Sequence, residues 1–298
     1  MRYRNALLFL ALSAFWGSAF MAIKAGLADF PPVLYAAIRY DLASVLMLGY
    51  AFYAADRWRP HTRGEWTLVG VGAAFMIAGY QVFLFIGEQH TTSAAAAVIV
   101  SLSPILTTAF ARVILPDERI TLTGAVGMGL GLLGVVVIAN PDPSNLLASG
   151  VVGKTLVFVA ILLFALGSVL TQHIDASLPH ETMEAWAMLG GAGIMHLASL
   201  GLRESYTTIE WTPRGIAALL YLSVFASAVG FMIYFTLLDR VGPIEINLVS
   251  YVAPLFAAVT GYLFLEEVID LTTAVGFLVV VAGFVLLKRE AIASELGA

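Results

Sequence analysis

Asn247, Ser250, Tyr251 and Pro254 stand at i, i+3, i+4 and i+7 inside an otherwise apolar run. On an α-helix that spacing places all four on one face. Polar groups turned toward lipid are costly, so such a stripe is expected to face a protein interior and to meet a small polar ligand there. Hydrogen bonding between helices is the alternative use of Ser and Asn. The proline favours a pocket, because it removes a backbone hydrogen bond and can bend the helix beside it. About 150 residues earlier Ala97, Val100, Ser101 and Pro104 occupy the same spacing with fewer polar groups.

Two other stretches carry candidates. Ser227, Phe231 and Tyr234 lie close to Ser223 and Gly230, while Tyr80 and Phe83 follow Gly72, Phe75, Met76 and Gly79. Aromatic rings with one polar edge can hold an apolar side chain and still meet a polar group; ordinary packing is an equal alternative for each of them. Trp16 lies too deep in its apolar run for an interfacial belt, which favours a gate or cavity role. Ser168 repeats, in a Gly-Ser pair, the position of Ser18. The substrate-cavity set is therefore Trp16, Tyr80, Phe83, Ser101, Ser168, Ser227, Phe231, Tyr234, Asn247, Ser250 and Tyr251, with Pro104 and Pro254 as helix bends.

Covalent or metal chemistry has little to stand on. The chain holds no cysteine, and no His-Glu-x-x-His or Gly-x-Ser-x-Gly pattern falls in an apolar run. Catalytic residues, metals and cofactors are expected to be none. Phosphorylated cargo would call for paired Lys or Arg in the apolar runs, and a proton relay for buried Asp or Glu. Neither is evident, so a small zwitterionic or neutral molecule is the better expectation. Arg39 lies within an apolar run and could meet a substrate carboxylate, yet a structural pairing or a snorkelled position is the stronger expectation. Asp41, two residues on, points to another face. Lys24 is expected at the interface. Glu184 and His196 could titrate, although a buried neutral His is more often just hydrogen-bonded.

The elements that must position these residues are membrane helices. Of the 298 residues, 60% are hydrophobic and only 12% charged, and the mean hydropathy is +0.91; an ordinary soluble domain carries roughly 25% charge. Apolar runs of about 20 residues cross a bilayer. Such runs are read at 5–26, 32–55, 66–88, 92–115, 121–140, 153–173, 181–202, 214–238, 243–265 and 271–288, with Pro32, Pro179, Pro213 and Pro243 at or just before helix starts. The first run continues past signal-peptide length, so a retained helix is expected. Ten of the 15 Lys and Arg fall on one side if the N-terminus is cytoplasmic, which predicts that both termini are.

Sliding the chain against itself by 148–151 residues aligns Gly17 with Gly167, Gly79 with Gly230, Pro104 with Pro254, Gly127 with Gly276 and Gly134 with Gly283. Each half then holds five spans. An odd number of crossings leaves the second copy inverted, with a pseudo-two-fold axis in the membrane plane. The predicted fold is an all-α integral membrane protein of ten transmembrane helices as two inverted five-helix repeats, residues 1–148 and 149–298. Inverted repeats suit alternating access about a midplane site. The acidic pairs Asp117-Glu118 and Glu266-Glu267 are expected to cap the helices that follow them. The glycines of "GAVGMGLGLLG" predict close helix packing within a monomer, with dimerisation as the alternative.

"FWGSAFMAIKAG", "AAIRYDLASVLML", "TTSAAAAVIVSLSPILTTAFARVILPDERI" and "LVSYVAPLFAAVTGYLFLEEVI" resemble the EamA branch of the drug/metabolite transporter superfamily. The resemblance covers the whole chain and is nearest to the amino-acid exporters of the YddG type. It implies a ten-helix exporter in a bacterial inner membrane, with a central cavity lined mainly by spans 1, 3, 4, 6, 8 and 9 and span 2 at the periphery. The implied cargo is amino acids, aromatic and other neutral ones among them, or related metabolites. A proton-coupled antiporter and, less so, a passive channel remain alternatives. The expected partners are a small-molecule substrate and the lipid bilayer, with no nucleic acid; a monomer is expected and a homodimer is the alternative. Asp117 stands where many relatives have glycine, which leaves Glu118 in place.

Overall fold

The computed structural model describes residues 2–114, 122–140, 148–242 and 246–287, and every regular element among them is helical. The chain starts with α1 (Arg2–Gly26) and α2 (Pro32–Ala54). The third run joins α3 (Arg63–Val71), a π-helical segment (Gly72–Gly79) and α4 (Tyr80–Glu88). Then come α5 (Ser93–Val100), α6 (Ser103–Ile114), α7 (Leu122–Ala139), α8 (Ser149–His173) and α9 (His180–Gly201). A second composite run joins α10 (Pro213–Leu220), a π-helical segment (Tyr221–Val229) and α11 (Gly230–Val241). α12 (Val249–Leu265) and α13 (Leu271–Leu287) close the described chain. Seven of these runs are long and apolar enough to cross a membrane, and α12 and α13 are shorter apolar helices.

Local signals set the helix starts. Thr62 and Glu65 form a capping box at α3, and the Thr92 and Thr212 hydroxyls cap α5 and α10. α2 begins at Pro32, where a missing N–H costs nothing. Its next two N–H groups, Val33 and Leu34, donate to the Glu204 carboxylate at 3.1 and 2.7 Å. Asp270 Oδ1 accepts the Thr273 N–H at 2.6 Å, capping the helix that follows it.

Apolar burial hardly distinguishes a helix neighbour from a lipid tail, so membrane helices associate through close packing of small residues. α7 and α13 show this. A Cβ on Gly127 would lie 2.7 Å from the Gly283 carbonyl, and one on Gly134 would lie 2.9 Å from the Gly276 carbonyl. The helices are therefore antiparallel, and they are in the close packing that the glycine spacing predicted. The other large helix contacts pair α1 with α12, α2 with α9, and α8 with α4 and α6.

The structure corrects three expectations. The fourth span is not continuous: the helix turns at Ser101 and Leu102 before restarting at Ser103. Pro104 cannot donate to the Val100 carbonyl, and its ring crowds the preceding turn. In the ninth span Asn247 and Leu248 form a turn ahead of α12, so Asn247 is not on the same regular helix as Tyr251, whereas Pro254 lies inside unbroken α12. Glu267 caps no following helix. It accepts the Ser93 N–H at the start of α5, 174 positions away, through both oxygens at 3.2 and 2.9 Å. Asp117-Glu118, Pro243 and Glu245 lie outside the described residues, as do Arg119, Lys288 and Arg289.

The two π-helical segments occupy equivalent positions under the 150-residue offset. Tyr80 N–H donates to Phe75 and Gly230 N–H to Phe225, each five residues back. A widened turn of this kind rephases every side chain beyond it, and such turns are frequent at functional sites. The first segment packs on α8 and α9, the second on α1 and α2.

Candidate functional site

Trp16 stands near the middle of α1 and faces the second π-helical segment. Gly230 N–H bonds the Phe225 carbonyl rather than that of Ala226. The Ala226 carbonyl instead accepts the Trp16 indole Nε1–H at 3.1 Å. Gly230 leaves room for the ring: a Cβ there would lie 2.9 Å from Nε1. Trp16 also meets Phe231 and Tyr234, with ring centroids 5.7 and 5.5 Å away. Three predicted residues thus form one half-buried aromatic wall between α1 and α11.

Ser227, the fourth predicted residue here, is wholly buried. Its Oγ accepts a hydrogen bond from Arg39 Nε at 3.2 Å. Arg39 lies seven residues after Pro32 in α2 and keeps only 6% exposure. One face of α2 is therefore turned into the bundle at this depth, while Leu42, Val45 and Leu46 remain exposed on the other, and Arg39 neither snorkels nor pairs with Asp41. Two residues along a helix point to different faces. Asp41 Oδ2 lies 2.8 Å from His196 Nε2 on α9, and Tyr206 closes that surface cluster at 3.1 Å from His196 Nδ1. The Arg39 guanidinium stands 5.0 Å from the Tyr40 ring centroid. Tyr40 accepts a 2.7 Å hydrogen bond from Gln81 Nε2. Tyr80, just before Gln81 at the start of α4, packs on Phe164 with ring centroids 5.4 Å apart.

The remaining predicted residues make no hydrogen bond or ring contact with this cluster among the described residues. Ser101 is buried and donates to the Val98 carbonyl at 2.6 Å, so its hydroxyl is engaged within its own turn. Tyr251 is buried against Phe284, ring centroids 4.3 Å apart, and its hydroxyl has no partner among the described residues. Ser250, Phe83 and Ser168 are half-buried and Asn247 is exposed. Pro104 and Pro254 are both buried.

Near the end of the bundle that holds Lys24, the Lys24 ammonium donates to the carbonyls of Glu88, Gln89 and Thr91 at 2.7, 3.3 and 2.9 Å. It closes the C-terminus of α4, a favourable place for a cation. A cavity of about 500 Å³ opens beside it, lined by Lys24, His90, Thr92, Lys154, Glu267 and Asp270 among others. Glu88 is wholly buried beneath, with both carboxyl oxygens unpartnered among the described residues. The expectation that the inner spans hold no buried carboxyl fails at this residue, because α4 carries its last turn inside the bundle.

Apolar helices packed around a buried polar and aromatic cluster define a multi-pass membrane protein. The chain belongs to the EamA-like transporter family, whose model matches it twice, over residues 4–140 and 151–289. It is 26% identical to an uncharacterized transporter of Archaeoglobus fulgidus over 96% of this chain and 98% of that one. It is 27% identical to the uncharacterized transporter YvbV of Bacillus subtilis, covering 99% and 95% of the two chains. It is 28% identical to the uncharacterized inner membrane transporter YedA of Escherichia coli K12, covering 88% and 84%. A solved crystal structure shares the fold at a TM-score of 0.65 and 19% identity, covering 98% of this chain and 99% of that one.

Proposed function

We propose that this chain exports small amino acids and related metabolites from a bacterial cytoplasm, as a ten-span inner-membrane carrier of the YddG kind. Its halves, residues 1–148 and 149–298, act as inverted repeats, and both termini are cytoplasmic. Cargo binds between Trp16, Ser227, Phe231 and Tyr234, with Tyr80 opposite.

One observation carries this reading. The two π-helical segments match under the repeat offset, and each grips the first two helices of the other half: the first packs on α8 and α9, the second on α1 and α2. A gate on each side of a shared site, exchanged by rocking one half against the other, is what alternating access requires. The crosswise meeting of Gly127 with Gly283 and of Gly134 with Gly276 supports the same symmetry, because repeat-equivalent glycines swap partners across a two-fold axis.

Counterflow of labelled amino acids into proteoliposomes tests it. Saturable uptake driven by unlabelled internal amino acid is expected; flux that neither saturates nor shows competition would establish a channel.

A second reading, proton-coupled antiport, draws support from Glu88. A wholly buried carboxyl without hydrogen-bond partners is costly to keep charged, which suits a group that gains and loses a proton. Collapse of an imposed pH gradient by nigericin would stop uptake under this reading and leave facilitated exchange unchanged.

A further inference from the structure

We propose that Arg39 is the anion-binding residue of the central site and that the cargo is held by its carboxylate. This rests on the reading of the chain as a carrier of small amino acids and narrows it to molecules that bear a free carboxylate. The geometry starts from a buried cation with no carboxylate at ion-pair distance; the buried Glu88 carboxyl interacts with it only at longer range and is not paired with it. Arg39 enters the bundle roughly 10 Å below the start of α2, at 1.5 Å per helical residue, and is 6% exposed. Among the described residues no carboxylate lies within ion-pair distance of it. Asp41 is committed to His196, and Glu204 to the N–H groups of Val33 and Leu34.

A guanidinium carries five N–H donors in a rigid plane. Only one of them is engaged: Nε donates to Ser227 Oγ. Ser227 therefore fixes the plane of the group from its Nε edge and leaves the two terminal nitrogens as a free pair. Those nitrogens hydrogen-bond to nothing among the described residues, and neither counts among the sealed, unpartnered polar atoms. They therefore keep some accessible surface, within the 6% that Arg39 retains as a whole. Two parallel N–H groups at the end of a guanidinium match the two oxygens of a carboxylate, a fit that a lysine cannot reproduce.

The surroundings select the rest of the molecule. Ser227 is followed one helical turn later by Phe231, which with Trp16 and Tyr234 makes the aromatic wall. A cargo anchored at Arg39 by its carboxylate can lay an apolar or aromatic side chain on that wall. Cationic amphiphiles and neutral amides or esters of the same size lack the anchor and meet an uncompensated positive charge instead. A buried charge held for a ligand rather than for the fold accounts for an arginine kept in an apolar span with no carboxylate at ion-pair distance among the described residues.

The experiment compares L-phenylalanine with L-phenylalaninamide, and 3-phenylpropionate with its amide, as competitors of labelled L-phenylalanine counterflow in proteoliposomes. The same four compounds are assayed for their effect on the melting temperature of the purified protein in detergent. In wild type each acid should compete at least about tenfold better than its amide and should stabilise the protein. Arg39→Gln should erase the preference of acid over amide in both assays, and Arg39→Lys should retain part of it. A gel-filtration profile and ligand-free melting temperature like those of wild type show that the variants fold; for a variant that does not, Ser227→Ala, which frees the guanidinium plane, should reduce the preference. Amides that compete as well as acids in wild type, or an acid preference that survives Arg39→Gln, would overturn the proposal. If wild type carries none of these amino acids but is stabilised by 3-phenylpropionate through Arg39, the anion site stands and the amino-acid reading falls. If amino acids are carried without regard to Arg39, the reverse holds.

Discussion

The carboxylate of Glu267 accepts the backbone N–H of Ser93 through both of its oxygens, at 3.2 and 2.9 Å. The bond ties the loop after α12 to the first turn of α5, two segments 174 positions apart. Glu266 makes it possible by adopting a left-handed φ of 56°, which lets the Glu267 N–H return to the Gly261 carbonyl. An anion at a helix N-terminus answers both its free N–H groups and its dipole.

Glu267→Ala should therefore lower stability by about 1 kcal/mol, the usual cost of a lost cap, while Glu267→Gln keeps part of it. The melting temperature of the detergent-solubilised protein checks this. An unchanged value for Glu267→Ala would mean that the Thr92 hydroxyl, which accepts the Ala95 N–H at 3.2 Å, caps α5 alone.

Gly17 fixes how closely α1 and α12 approach. A Cβ there would run into the Ala253 carbonyl and lie 2.6 Å from Phe256 Cβ. Gly17→Ala should cost about 1–3 kcal/mol, as overpacking does, and should slow counterflow more than it reduces the amount of folded protein. A variant with wild-type melting temperature and flux would show that the two helices separate freely.

Trp16 contributes a hydrogen bond and a ring, and the two can be tested apart. Trp16→Phe removes the bond to the Ala226 carbonyl and should cost about 1 kcal/mol while cargo preference persists. Trp16→Ala also removes the contacts to Phe231 and Tyr234 and should flatten the preference for aromatic over small amino acids. Competition counterflow reads that preference directly; an unaltered ranking in Trp16→Ala would move the cargo away from this wall.

Asp270 should give the protein a measurable acid sensitivity. Burial disfavours its charge, but hydrogen bonds from Thr273 and Thr272, with Lys154 nearby, outweigh burial and hold its carboxyl below the usual carboxylate range. A group depressed from an unfolded value of about 3.9 contributes stability that is complete above about pH 5 and is lost as pH falls through the folded value. The melting temperature should drop on acidification below about pH 4, and Asp270→Asn should flatten that slope. Identical slopes in the two proteins would assign the acid sensitivity to other groups.

Much of the architecture was legible in the chain. Apolar length, prolines and charge clusters placed most helix ends within a few residues, as at Pro32–Ala54 against the expected 32–55 and Leu122–Ala139 against 121–140. The glycines of α7 announced a backbone contact, and their partners in α13 stood at the matching places in the other half. The site was legible only in part. Trp16, Ser227, Phe231 and Tyr234 come together, but Ser101 and Tyr251, chosen on a regular helical stripe, turn to Val98 and Phe284 instead. The stripe assumed one unbroken helical phase, and the chain interrupts that phase at Ser101 and at Asn247.

Composition and periodicity by themselves determined that this protein is a bundle of membrane helices written twice, because the bilayer's demand for apolar, internally hydrogen-bonded segments leaves a plain mark on the sequence. Tertiary structure alone decided which side chains share a site. Two widened turns rephase the third and eighth spans, and the packing of α2 on the second of them brings Arg39 to Ser227 across 188 positions of chain. A helical phase is set by hydrogen bonds over a few residues, whereas the neighbour that a buried charge meets depends on how whole helices pack, which no local pattern encodes.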